Sequence, residues 1–222
     1  MPACGVDFSD ELARTTMPDA GELEFRLSED GGILFLTLVS DDGMNRLTRS
    51  KVIALRRKIE GLASPGASVL PLVISGDPIF SAGADLNEIS QLNGPDALAF
   101  AQLGQDLMTA VANHPAPVYA SINGFCLGGG LDLALACHHR IASPHAVLGH
   151  RGAALGLITG WGGTQRLPQL IGKSRALAMF VAAEKITAVQ ALRIGLADVI
   201  AADPVAEAVR RIRDRANERF LR

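Results

Sequence analysis

Three consecutive glycines, Gly128 to Gly130, open an apolar helix in the segment "NGFCLGGGLDLALACHH", and a carboxylate, Asp132, follows two residues later. A strand that ends in a glycine-rich turn and starts a helix presents free N–H groups at the positive end of the helix dipole. Glycines let a ligand oxygen approach those groups closely. A second stretch, "GDPIFSAGADL" from Gly76 to Leu86, ends a strand in the small residues Ser81, Ala82, Gly83 and Ala84. Two such N–H sources converging on one oxygen would make an oxyanion hole, where one donor contributes about 3 to 4 kcal/mol of transition-state stabilisation. Either loop alone also reads as a tight turn of an α/β sheet, and an acid in a helix's first turn suits the dipole without any catalytic role.

Other glycine-dependent sites fail on spacing. Gly124, Gly128, Gly129 and Gly130 give GxxxGGG where a dinucleotide site needs GxGxxG. The tripeptide Gly172-Lys173-Ser174 has Leu167 where a phosphate loop needs glycine, and Ile79 replaces the first glycine of a GxSxG elbow around Ser81. His138, His139 and His145 lack the i, i+4 spacing of a metal site and are expected at strand ends. Asp85 and Glu88 read as helix-start caps, and Cys126 and Cys137 as small apolar fillers.

The elements that must carry these residues follow from the apolar pattern. "ELEFRLSEDGGILFLTLVS" (Glu22 to Ser40) is two apolar runs around Asp30-Gly31-Gly32, a hairpin signal. Val52, Leu55, Ile59 and Leu62 share one helical face, with Thr48 or Ser50 as cap. "VLPLVISG", "VYASING" and "HRIAS" read as short buried strands, separated by the helices "DALAFAQLGQDLMTAVANH" and Leu131 to Cys137. This alternation predicts an α/β fold with a parallel core. From Gly160 onward the pattern turns helical, with a last short strand at "DVIAA". Residues 1–21 are polar and mixed and are expected to form a flexible arm, 22–203 the core, and 204–222 an amphipathic helix with six arginines on its polar faces.

Composition limits the function classes. Of the 222 residues 48% are hydrophobic and 20% charged, as in a folded globular chain with a real core. A net charge of −2 gives no field for nucleic acid or an anionic membrane, so neither is expected as a partner. Three cysteines without CxxC spacing argue against a disulfide framework or a zinc site. With Asp7, Asp10 and Glu11 near its start and no long apolar run, the chain is expected to be cytoplasmic.

In order along the chain, "FSAGADLNEI", "ASINGFCLGGGLDLALAC", "LGLITGWGGTQRLPQLIGKSRAL" and "AVQALRIGLADVI" resemble the enoyl-CoA hydratase/isomerase (crotonase) superfamily, over roughly Leu23 to Ile200. The resemblance implies a crotonase-like spiral of ββα units with a short helical C-terminal part, assembled as a homotrimer or hexamer. It implies an acyl-CoA thioester as substrate, with no separate cofactor and no metal. The enolate oxygen would be held by the backbone amides of Ala84 and Gly129. Ala82, Asp85, Leu86 and Asn87 would line the acyl-thioester path, and Met44 and Arg46 would meet the CoA moiety. Asp132 stands where hydratases of the family keep their first catalytic glutamate, and Gly152 stands at the second. His150, two residues before Gly152, is the candidate replacement acid or base, and Arg151 could balance a carboxylate or contact substrate. Gly160 falls where dehalogenase members carry an aspartate nucleophile, which disfavours that chemistry. The family's terminal helical segment is expected to be shortened or missing. Three functions stay open: hydration or isomerisation of an enoyl-CoA, another enolate reaction such as thioester hydrolysis, C–C cleavage or decarboxylation, and non-catalytic acyl-CoA binding.

Overall fold

The computed structural model describes residues 25–64, 66 and 68–220; the expected N-terminal arm, residues 1–21, lies outside them. A hairpin comes first, β1 (Phe25–Asp30) and β2 (Ile33–Leu38), joined by Gly31 and Gly32 at φ +57° and +75°. Two successive positive φ angles suit the right-handed twist of paired strands, and glycine meets them without steric cost. Next come β3 (Arg46–Leu47) and α1 (Arg49–Leu62), capped by the Thr48 hydroxyl accepting from Lys51 N at 3.2 Å. The same cycle repeats as β4 (Leu72–Gly76), β5 (Gly83–Ala84), α2 (Leu86–Ser90) and α3 (Gly94–Ala112). It repeats again as β6 (Val118–Ile122), β7 (Phe125–Leu127) and α4 (Gly129–Ala136). The last cycle is β8 (His139–Ala142), β9 (Val147–Gly149), a 3-10 turn at Gly152–Leu155, α5 (Gly163–Ile171) and α6 (Lys173–Ala182). The chain closes through β10 (Ile186–Thr187), α7 (Ala188–Arg193), β11 (Val199–Ile200) and α8 (Pro204–Phe220).

Each cycle delivers one strand to a six-stranded sheet, ordered β1-β2-β4-β6-β8-β11, and one short strand to an inner layer before its helix. That is a spiral of ββα units. Every neighbour pair in the large sheet is parallel except the β1–β2 hairpin. The inner layer holds β10-β9-β7 and the pair β3-β5, linked by a bridge between Ser81 and Cys126. The register Leu36↔Ile74↔Ala120 aligns one apolar face, which packs on Leu55, Ile59, Leu107 and Val111 from α1 and α3. The other face presents Ile33, Val73, Tyr119 and Ile141 to Ala208 and Ile212 of α8. With both faces covered, the central strands read as continuous apolar runs rather than alternating ones.

The structure refines the sequence reading in two places. The turn after β6 contains a strand, β7, and α4 begins at Gly129, so two of the three glycines are helical. Strands of two or three residues carry no periodicity, which is why the inner layer escapes pattern analysis. Among the described residues no helix is long and apolar enough to cross a membrane.

Candidate active site

The helix α4 is buried along its whole length, and no side chain caps its start at Gly128. Its first N–H groups have no intrahelical acceptors. The end of β5 lies against this start. A Cβ on Gly83 would stand 3.0 Å from Gly129 N, and one on Gly129 would stand 3.3 Å from Ala84 N. Bare glycines at both positions therefore let the two backbone segments approach. Trp161 fills the space beside them: a Cβ on Gly129 or on Gly104 of α3 would overlap its indole. The ring is fixed by a hydrogen bond from its Nε1 to Phe100 O at 3.2 Å and by an edge-to-face contact with Phe100. Trp161 thus packs at the entrance of α5 and also forms cavity wall.

That cavity has a volume of about 310 Å³. Leu86, Ile89, Leu92, Phe100, Leu157 and Trp161 make much of its lining apolar, and Ala82, Ala84 and Gly129 belong to the same wall. Its titratable or hydroxyl-bearing residues are Asp132, His150, Arg151 and Thr159. Asp132 and His150 are 2% and 3% exposed. Asp132 Oδ1 lies 3.5 Å from His150 Nε2, and neither atom has a hydrogen-bond partner. The second carboxylate oxygen, Oδ2, accepts from the Thr159 hydroxyl. Gly163, at the start of α5, leaves room for the group, because a Cβ there would overlap Asp132 Oδ1 and come within 2.9 Å of both His150 Nε2 and Thr159 Cγ2. The His150 ring rests against Phe180, centroids 5.2 Å apart.

Burial sets the charge state of both groups. It pushes the Asp132 carboxyl up to about 7, against the opposing pull of the Thr159 hydroxyl, the Arg166 charge and the Gly163 N–H. It pushes the His150 imidazole down to about 4. Both partners are thereby driven toward their neutral forms. A carboxyl that titrates near neutral pH can release or accept a proton with little driving force lost, while an imidazole held neutral down to about pH 4 can face it as an uncharged hydrogen-bonding group.

The remaining positions divide. Ala82, Ala84, Leu86 and Gly129 line the cavity with Asp132 and His150; Asp85, Asn87, Met44 and Arg46 do not. Asp85 caps α2 by accepting from Asn87 N at 2.8 Å and Glu88 N at 3.1 Å. Arg46 pairs with Asp42 and reaches Asp85 at 3.9 Å, and the Met44 carbonyl accepts from Ala82 N at 2.9 Å. Glu88 is a bridge as well as a first-turn acid, accepting from Arg49 N at the start of α1 at 2.8 Å. Arg151, on the cavity wall, donates to Ala183 O at 2.8 Å. Gly152 is packed: a Cβ there would lie 2.7 Å from Leu157 O, so this turn has no room for a side chain as it stands. Burial raises the thiols of Cys126 and Cys137, the latter to about 12, which leaves them as inert fillers. Among the described residues, no three His, Cys, Asp or Glu side chains come together as a metal site. Thr159 and Phe180 had no signal in the sequence. Each reaches the site from a distant segment that only the fold brings near.

A family model described as enoyl-CoA hydratase/isomerase matches residues 31–220. The probable enoyl-CoA hydratase of Bacillus subtilis (strain 168) is 44% identical over 139 residues, 62% of this chain and 54% of that protein. The matched part thus spans about half the length of that curated relative. Among solved structures, Pseudomonas aeruginosa DspI superposes with a TM-score of 0.83 at 31% identity, covering 91% of this chain and 78% of the other. An enoyl-CoA hydratase from Bacillus anthracis superposes with a TM-score of 0.81 at 29% identity, covering 87% and 76%.

Proposed function

The chain belongs to the enoyl-CoA hydratase/isomerase family, the crotonase superfamily, and on that premise we infer that it is an enzyme acting on an acyl-CoA thioester through an enolate. The thioester oxygen accepts hydrogen bonds from the backbone amides of Ala84 and Gly129, and the acyl chain occupies the apolar cavity. Asp132 and His150 exchange the proton at the carbon next to the carbonyl. The observation that carries this reading is the buried Asp132–His150 pair, whose facing atoms Oδ1 and Nε2 have no hydrogen-bond partner, on the wall of an apolar cavity beside the uncapped start of α4. Hydration or isomerisation of a 2-enoyl-CoA is the reaction proposed first. The packed Gly152 favours a second reading, an enolate reaction that needs the amide pair but not two carboxylates, such as thioester hydrolysis, C–C cleavage or decarboxylation.

No cofactor is required, since coenzyme A arrives as part of the substrate. Met44 and Arg46 keep their proposed place on the CoA side, outside the acyl cavity. Assembly as a trimer or hexamer and a cytoplasmic location belong to the same reading; light scattering checks the first and fractionation the second. A panel of acyl- and 2-enoyl-CoA thioesters, with products identified by mass, tests the function. Turnover of at least one thioester that is lost in Asp132→Asn supports it. A folded protein that binds CoA thioesters tightly and turns over none would replace it with a non-catalytic binder.

A further inference from the structure

We propose that Thr159 is a positioning residue, whose hydroxyl holds one oxygen of the Asp132 carboxyl so that the other stays aimed at His150 and the cavity. The inference rests on the reading of Asp132 as the proton-handling group. Thr159 precedes α5 in a segment without regular structure, while Asp132 stands on α4, 27 residues earlier in the chain. The Thr159 hydroxyl donates to Asp132 Oδ2, and the same carboxyl's Oδ1 faces His150 Nε2 with no hydrogen bond of its own. A carboxyl rotating freely about its last bond would present either oxygen to the cavity. The hydroxyl removes that choice. It can also follow the proton: it donates to the carboxylate, and by turning it accepts from the protonated acid, since a hydroxyl offers one donor and two lone pairs. The pair therefore keeps its geometry through a proton transfer.

The groups facing Asp132 come from several elements. His150 follows β9, Arg166 lies on α5 and acts through its charge, and the Gly163 N–H at the start of α5 pulls the carboxyl toward its ionised form. The buried thiol of Cys126 on β7 is raised in part by the charge of Asp132. Arg166 and the Gly163 N–H favour the ionised carboxyl as Thr159 does, but as a cation and a fixed backbone donor they cannot turn to accept a proton. Thr159 is half-buried on the cavity wall and lies outside the hydrophobic core clusters.

The test compares Thr159→Val, which keeps the shape and removes the hydroxyl, with Thr159→Ser, which restores the hydroxyl without the methyl group. The Asp132 carboxyl is followed by carbon NMR titration of the full chain, its signal identified by its absence in Asp132→Asn. Loss of a hydrogen bond to a charged group is expected to move the Asp132 midpoint up by about one pH unit or more in Thr159→Val. Thr159→Ser should return it to the wild-type value. On the thioester that the panel selects, Thr159→Val should lower kcat about tenfold, leave KM within about twofold and shift the pH profile in the same direction. A Thr159→Val protein that titrates as wild type, or a Thr159→Ser protein that behaves like Thr159→Val, overturns the proposal. If Thr159→Val fails to fold, Thr159→Ala takes its place in the same titration with the same two outcomes. Retained turnover in Asp132→Asn would instead overturn the functional reading, and the titration comparison would still stand.

Discussion

Asp132 Oδ1 and His150 Nε2 face each other across 3.5 Å, both buried and neither with a hydrogen-bond partner. Burial drives the acid up to about 7 and the imidazole down to about 4, so over the intervening pH range the pair is neutral on both sides. An unpaired buried polar group costs stability, and one oxygen and one nitrogen left in this state point to a site kept for chemistry rather than for packing.

The pair gives two opposed pH slopes to stability. The folded protein keeps the Asp132 proton that the unfolded chain releases near 3.8, so this contribution falls as pH rises from about 4 to about 7. The unfolded chain protonates His150 near 6.5 while the folded protein resists until about 4, so that contribution rises with pH over about 4 to 6.5. Relative to wild type, His150→Gln should therefore tilt the stability curve downward with rising pH, and Asp132→Asn should tilt it upward. Each tilt is expected to span about 3 to 4 kcal/mol in urea unfolding measured across this range. Tilts of the same sign would contradict the neutral pair.

Gly163 is the spacer of the site. A methyl group there would overlap Asp132 Oδ1 and crowd His150 Nε2. Gly163→Ala should remain folded, lose about 1 to 3 kcal/mol of stability, and lose about a hundredfold or more in turnover. Thermal melting and steady-state rates on the same sample check both.

Gly129 and Trp161 are coupled by shape. A Cβ on Gly129 would overlap the indole, so Gly129→Ala should be strongly destabilising on its own. Trp161→Ala should cost about 3 to 5 kcal/mol through the cavity it leaves. Combining them should cost less than the sum, with a coupling of about 1 to 3 kcal/mol in a double-mutant cycle. Strict additivity would mean that the two residues do not share space.

Restoring a carboxylate at Gly152 is not expected to create a hydratase. The Cβ of any side chain placed there would start 2.7 Å from Leu157 O, forcing the 3-10 turn open. Gly152→Glu should lose about 1 to 3 kcal/mol and add no water to a 2-enoyl-CoA beyond the wild-type rate. Loss of enoyl absorbance is the direct readout.

The long strands and helices were legible in the sequence because burial imprints a period on them. Val52, Leu55 and Ile59 are buried along α1 as their spacing predicts, and Leu62 packs at the edge of the core. The hairpin was legible because Gly31 and Gly32 are what a turn with two positive φ angles requires. The helix after the glycine run was legible from Leu131, but Gly129 and Gly130 as its first residues were not, since glycine weighs against a helix; a Cβ on Gly129 would overlap Trp161 and one on Gly130 would meet Ser81. At the site, the family resemblance picked out Asp132 and Gly129, and the position of His150 beside the Gly152 gap made it a candidate. Thr159 stayed hidden, because a hydrogen bond between two loosely spaced polar residues leaves no pattern in the chain.

A site that forms and holds an enolate of an acyl-CoA thioester must exchange the proton at the reacting carbon with solvent, whatever the full reaction. The protein is incubated in deuterated water with saturated and 2-enoyl acyl-CoA thioesters, and deuterium next to the thioester carbonyl is read by mass. Wild type should incorporate deuterium into at least one bound thioester, and Asp132→Asn should lose that incorporation by about a hundredfold or more. Incorporation at the wild-type rate in Asp132→Asn, or none in a wild-type protein saturated with thioester, would contradict the account.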